Sequence, residues 1–238
     1  MATPRIRAAA GLVVVAMALV GCGSKKYDTS TATTVPTTST TTSTASTTTV
    51  APTDQRQTAV WPALADTTRY TDPAEAARTF AVSYLGFVDP VVGAYRSGDA
   101  RSGEVPIRPS ADGPETTVLV RQLAPDDSWW VLGATTPNIQ LDAPTVLATI
   151  TSPVTLTGRS TAYEANVNVE IRQDGTATPL TSGYVMGGAN GEMGPFSKSF
   201  TYVAPTGGAS GGAVVLKTIS AKDGSTAEAT VVAVALRK

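Results

Sequence analysis

Three stretches of this chain carry the residue types of known reaction motifs, and each lacks a partner that the chemistry requires. Gly208-Ala209-Ser210-Gly211-Gly212 has the G-x-S-x-G spacing of a nucleophile elbow. Such a serine needs a strand before it, a helix after it and a histidine to take its proton. The chain has no histidine. Ser220-Ala221-Lys222 offers a lysine as an alternative base, but the spacing departs from Ser-x-x-Lys and the region is rich in strand formers. Lys222-Asp223-Gly224 reads as a strand end entering a hairpin turn. Gly187-Gly188-Ala189-Asn190-Gly191-Glu192-Met193-Gly194 has the glycines of a phosphate loop without the lysine or the following helix, so it reads as a long loop. Asp126-Asp127 sits in a turn, the other carboxylates are scattered, and no stretch has calcium-loop spacing. Without histidine, and with a single cysteine, serine, cysteine and metallo-hydrolases that depend on histidine are excluded. No catalytic, metal-ligating or cofactor-binding residue is assigned, and the chain reads as non-enzymatic. Trp129 and Trp130 remain as side chains suited to partner contact.

The single cysteine, Cys22, closes an apolar run and follows Leu19-Val20-Gly21. Arg5 and Arg7 give a basic start, and Ala8 to Val20 give an apolar core too short to span a bilayer. A small residue directly before cysteine resembles the lipobox of bacterial lipoproteins. The resemblance implies a signal peptide over residues 1–21, a diacylglyceryl group on the Cys22 thiol, and cleavage that leaves Cys22 as the new N-terminus. Multiple acyl chains hold a protein stably where one holds it marginally. The expected location is therefore the cell membrane, lipid-anchored on its extracytoplasmic face. One cysteine also excludes an intramolecular disulfide, so stability must come from packed cores.

Without Arg5 and Arg7 the 18 basic residues fall to 16 against 19 acidic ones, a formal net charge of −3. No basic block exists, which argues against nucleic acid as a partner. Lys25 and Lys26 stand close enough to Cys22 to touch anionic headgroups. From about Thr29 to Thr53 the chain is almost all Thr and Ser, with Pro36 and Pro52. Such a composition cannot bury enough apolar surface to offset the entropy of ordering, so residues 22–60 are expected to be a lipidated, disordered tether. The tether is either a bare spacer or an O-glycosylated stalk.

The folded part is expected from Trp61, as a small α+β domain over residues 61–142 and an all-β domain over 143–238. Asp72 caps a helix, Pro73 fits its first position and Glu75 completes a capping box. Ala77, Phe80, Ala81, Tyr84, Phe87 and Val88 recur at helical spacing as one apolar stripe, and Asp89-Pro90 stops the run. Strands are expected at Gly103–Pro109, Thr116–Leu123, Ser128–Gly133 and Asn138–Leu141. One helix on an antiparallel meander is an α+β layer, loosely similar in element order to cystatin-like and nuclear-transport-factor-like folds. Trp129 and Trp130 must point to opposite faces. One packs under the helix. The other is exposed as an anchor or buried against the second domain.

Beyond Pro144, strands are expected near Val146–Thr151, Val154–Gly158, Ala165–Arg172, Leu180–Met186, Phe196–Val203, Ala213–Ser220 and Thr226–Leu236, with turns at Asp174-Gly175 and Asp223-Gly224. Seven short strands with regular turns give an immunoglobulin-like sandwich. Ile150-Thr151-Ser152-Pro153, Gly158, Tyr163-Glu164-Ala165-Asn166-Val167, Gly194-Pro195-Phe196 and Ser220-Ala221-Lys222-Asp223-Gly224 then fall in an order that resembles the immunoglobulin-like domain of bacterial spore-germination proteins and of many envelope lipoproteins. The resemblance implies a non-enzymatic accessory module. The expected function is a membrane-anchored binding or scaffolding lipoprotein whose partner is an envelope protein or the cell wall. Two alternatives stand beside it: a small-ligand carrier with a pocket between helix and meander, and a carboxylate enzyme acting on cell-wall glycan. Two facing carboxylates in a groove would mark the last of these.

Overall fold

The computed structural model describes residues 54–206 and 210–238. The expected signal peptide, Cys22, Lys25, Lys26 and the Thr/Ser run to Thr53 lie outside the described residues. The described residues belong to one compact unit. Among the described residues, no helix is long and apolar enough to cross a membrane.

The helix starts where its caps require. Asp72 accepts hydrogen bonds from the backbone N–H groups of Ala74 (2.6 Å) and Glu75 (3.4 Å), and α1 runs over Pro73–Thr79. It continues as a π turn over Phe80–Leu85 and closes on Gly86, whose φ is +84°. Ala77, Phe80, Ala81, Tyr84 and Phe87 are buried as the stripe requires. Val88 is the exception, at 69% exposed. The left-handed turn at Gly86 folds Phe87 back, its N–H donating to the Ala81 carbonyl at 3.0 Å, and sends Val88 outward.

The meander follows as β1 (Val91–Val92), β2 (Arg96–Ser97), β3 (Ser102–Arg108), β4 (Thr116–Leu123) and β5 (Ser128–Thr135). β4 alternates cleanly, with Thr116, Val118 and Val120 buried under the helix and Leu119 and Arg121 outward. The chain then crosses to a second layer through β6 (Ile139–Ala143). The remaining strands are β7 (Thr149–Ile150), β8 (Val154–Ala162), β9 (Asn166–Gln173), β10 (Pro179–Met186), β11 (Gly188–Ala189), β12 (Gly194–Phe200), β13 (Ser210–Ile219) and β14 (Thr226–Leu236). One short helix on mostly antiparallel sheet, with an immunoglobulin-like arrangement in the C-terminal half, is the expected fold class.

Two sheets result. Among the described residues, a ten-stranded sheet has the order β1-β3-β4-β5-β14-β13-β9-β10, with β2 against β3 and β7 parallel to β14. A four-stranded sheet has the order β11-β8-β12, with β6 also against β8. The meander and the sandwich therefore share one sheet. The join is β5 against β14, where Ala134 faces Val231 and Gly133 faces Val232. Gly133 is required there, because a Cβ would lie 2.6 Å from the Val231 carbonyl oxygen. The boundary expected after Asp142 falls inside β6, which already pairs with β8.

The shared strands are buried on both faces. Ala213, Val215, Ala229, Val231 and Ala233 meet the helix side together with Phe80, Tyr84, Phe87 and Trp129. Val214, Leu216, Val234 and Leu236 meet the second sheet together with Leu156, Ile171, Phe196 and Phe200. A polar clasp holds the crossover between the layers. Buried Glu228 accepts from Thr136 Oγ1 (2.6 Å), Asn138 Nδ2 (2.9 Å) and Thr218 Oγ1 (3.4 Å), and Thr230 Oγ1 donates to the Ile139 carbonyl (2.7 Å).

Candidate functional site

Neither tryptophan is an exposed anchor, which corrects the partner-contact reading of Trp129 and Trp130. Their side chains do point to opposite faces. Trp129 packs into the helix-side core, with Tyr95 edge-on at 5.4 Å. Trp130 is 1% exposed and packs on the other face against Ala59 and Leu123. Arg56 and Arg69 lie 5.9 and 5.4 Å from its ring centroid, and its Nε1 donates to Ser128 Oγ at 2.9 Å. The cover on that face is neither solvent nor the sandwich. It is the segment before the helix. Residues 54–60, expected in the tether, belong to the fold: Asp54 caps a 3-10 turn at Gln55–Thr58, and buried Val60 donates its N–H to the Val131 carbonyl at 2.9 Å.

The pocket expected between helix and meander is filled by Phe80, Tyr84, Phe87 and Trp129. Phe80 and Tyr84 stack at 5.1 Å. Behind Tyr84 sits buried Arg172, 4.7 Å from the Tyr84 ring centroid, donating to the Tyr84 carbonyl and paired with Glu170. Lys217 Nζ reaches the other Glu170 oxygen at 3.0 Å. Two cations share the one carboxylate, and Arg172 pins the helix end to β9. Burial pushes the Tyr84 phenol up.

The open space lies elsewhere, where the leading segment crosses the ends of β9, β13 and β14. A groove of about 470 Å³ is lined by Arg56, Ala63, Leu64, Leu147, Asp174 and Ser210, with Val234 and Ala235 as part of its wall. Its position follows from the Asp174-Gly175 turn. Gly175 has φ +67° and donates its N–H to the Val60 carbonyl at 2.9 Å, and a Cβ there would meet Ala63 at 2.2 Å. The turn therefore docks the leading segment and leaves Asp174 facing the groove. Burial raises the Asp174 carboxyl to about 7. Its Oδ1 and the neighbouring Ser210 Oγ are buried with no partner among the described residues. Arg56, the cation on the wall, is already held by Asp54 at 2.7 Å.

Leu147 forms the opposite lip. Val146 and Leu147 were expected in a strand, but β7 covers only Thr149–Ile150. Leu147 has φ +61°, and its N–H donates to the Ala233 carbonyl at 2.7 Å. A bulky residue in the left-handed region is uncommon and costs on the order of 1–2 kcal/mol. The strained backbone places a side chain that is 49% exposed at the groove mouth. Strain of this kind collects at binding sites.

The remaining sequence motifs stay apart from the groove, save Ser210 and Gly211. Ser210, from the G-x-S-x-G stretch, opens β13, while Gly208 and Ala209 lie outside the described residues. Lys222-Asp223-Gly224 is a turn closed by the Gly224 N–H donating to the Ser220 carbonyl at 2.9 Å. Asp126 pairs with Arg69 at 2.6 Å and Asp127 with Arg101. Among the described residues, the groove wall holds one carboxylate, and no group of three or more His, Cys, Asp and Glu is placed to hold a metal.

A protein-family model for the immunoglobulin-like domain of bacterial spore germination matches residues 138–225. The match begins at the crossover and ends before β14, so it covers most of the sandwich and none of the helix and meander. No curated protein and no solved structure matches the chain.

Proposed function

We propose that this protein is a membrane-anchored, extracytoplasmic lipoprotein whose folded part is a non-enzymatic binding module of the cell envelope, and that the groove beside Asp174 is its contact site. The groove carries the reading. Its walls combine aliphatic side chains with Arg56, Gln57 and Gln173, its floor holds two polar atoms without partners among the described residues, and its lip is a strained leucine, which is how preformed binding sites are built. The similarity to an immunoglobulin-like accessory domain supports binding over catalysis. The basic start, apolar core and Leu19-Val20-Gly21-Cys22 order support the anchor. The partner is an envelope protein or the cell wall.

Two experiments test this. A photo-crosslinking residue at Leu147 in intact cells should give discrete adducts that the same residue at Val88 does not. Adducts from Val88 alone, or from neither position, would overturn the assignment of the groove. Cys22→Ser should abolish metabolic lipid labelling and release the protein from membranes, whereas labelling that persists would refute the anchor.

A further inference from the structure

We infer that the groove takes a primary ammonium group on an unbranched aliphatic stem, held by the Asp174 carboxylate and the Ser210 hydroxyl. The inference rests on the proposed role of the groove and names the chemistry of what enters it.

Three observations define the occupant. Asp174 is an acceptor with one oxygen buried and unpartnered among the described residues, and no salt bridge there reaches it. A buried acceptor without a donor loses the desolvation free energy of that group, so the site favours a ligand that donates. Ser210 Oγ, also buried and unpartnered among the described residues, supplies a second acceptor. An ammonium has three donors and no acceptor, which matches two waiting acceptors. A carboxylate or phosphate ligand is disfavoured, because Asp174 would repel it and Arg56 is already committed to Asp54.

The walls select the rest of the ligand. Ala63, Leu64, Leu147, Val234 and Ala235 give an aliphatic wall beside Arg56, Gln57 and Gln173, and among the described residues no aromatic side chain lines the groove. A quaternary ammonium calls for an aromatic cage, which is missing from that wall. An alkyl stem buries well against leucine and valine while its charged end reaches the floor. Such a group comes from a lysine side chain of a partner or from a free alkyl amine.

The test is a titration of the full-length protein in non-ionic detergent, read by amide chemical shifts of Leu147, Asp174, Ser210 and Gly211. The probes are n-pentylamine, Nα-acetyl-lysine methylamide and its Nε-acetylated, uncharged counterpart. The two amines should give saturable shifts at these residues, the uncharged probe should give none, and Asp174→Asn should weaken amine binding at least about tenfold, as loss of a charge-assisted hydrogen bond does. Ser210→Ala should weaken it less. Tighter binding of the lysine derivative marks a peptide source, and tighter binding of pentylamine marks a free amine. Equal shifts from the uncharged probe, or no saturable shift from either amine, would overturn the inference. If Leu147 crosslinks then persist in cells, the groove still binds a partner and only its chemistry is wrong. If the crosslinks are missing as well, the groove reading fails with it.

Discussion

β4 and β13 lie in the same sheet, and they are built by different rules. β4 buries Thr116, Val118 and Val120 and turns Leu119 and Arg121 outward. Over these positions its neighbour layer is the helix and the sequence alternates, and only at the end of the strand is Leu123 buried on the opposite face with Trp130. β13 reads Ala213-Val214-Val215-Leu216 without a break, and all four are fully buried. Odd positions meet the helix and even positions meet the second sheet. An unbroken apolar run is what a strand covered on both faces requires. The contrast shows where the molecule is welded. Over Thr116–Arg121 the meander strand β4 has one dry face, whereas β13 and β14 are a common floor for two cores.

The largest test of that contrast is to cut each core beside the shared floor. Phe80→Ala, on the helix side, should cost about 3–5 kcal/mol, and Leu216→Ala, on the sandwich side, about 2–5 kcal/mol. Both residues are fully buried. Chemical denaturation should find each variant shifting the same transition. Loss confined to one spectroscopic probe would mean that the floor does not transmit.

Next is the join itself. Gly133→Val puts a side chain against the Val231 carbonyl and should cost about 1–3 kcal/mol as overpacking. Its hydrogen-exchange protection should fall on both β5 and β14. Normal protection in β14 would show that the pairing is dispensable.

A smaller effect is expected at the crossover. Glu228→Gln keeps the shape but swaps an acceptor for a donor facing Thr136 and Asn138. The loss should be about 1–2 kcal/mol, measured by urea melts at neutral pH. A neutral result would mean that the clasp is relieved by rearrangement.

The smallest effect belongs to the groove. The Asp174 carboxyl is raised from 3.8 to about 7 in the folded state by burial. The folded protein therefore binds more protons than the unfolded chain between those values. This contribution to stability is present in full below pH 4 and lost as pH rises through 7. Asp174→Asn removes the loss, so it should stabilise at pH 8 and change little at pH 4. Water at the groove mouth screens the charge, which leaves an effect on the order of 1 kcal/mol. Equal stabilisation at both pH values would contradict the burial of this carboxyl.

Much of the fold could be read from local signals. The Asp72 cap, the Phe80 and Tyr84 stripe and most strand positions are dictated by spacing and turn chemistry within a few residues. What the sequence hides is long-range. The Ala213–Leu216 and Val231–Val234 runs signal two covered faces, but a run does not say what covers them. Nothing local to Trp130 reveals that residues 54–60 return to cover it. The groove was equally hidden, because Asp174-Gly175 looks like an ordinary turn until Val60, Leu147 and Ser210 are brought around it. The strained Leu147 has no sequence signature, since leucine gives no hint of a positive φ.

One floor of strands joins the helix-covered meander and the sandwich into a single folding unit, with the groove at the ends of β9, β13 and β14. Differential scanning calorimetry of the full-length protein tests it most directly. One transition, with calorimetric and van't Hoff enthalpies in a ratio of about 1, is the expected result. Two separable transitions, one of which survives Phe80→Ala unchanged, would contradict it.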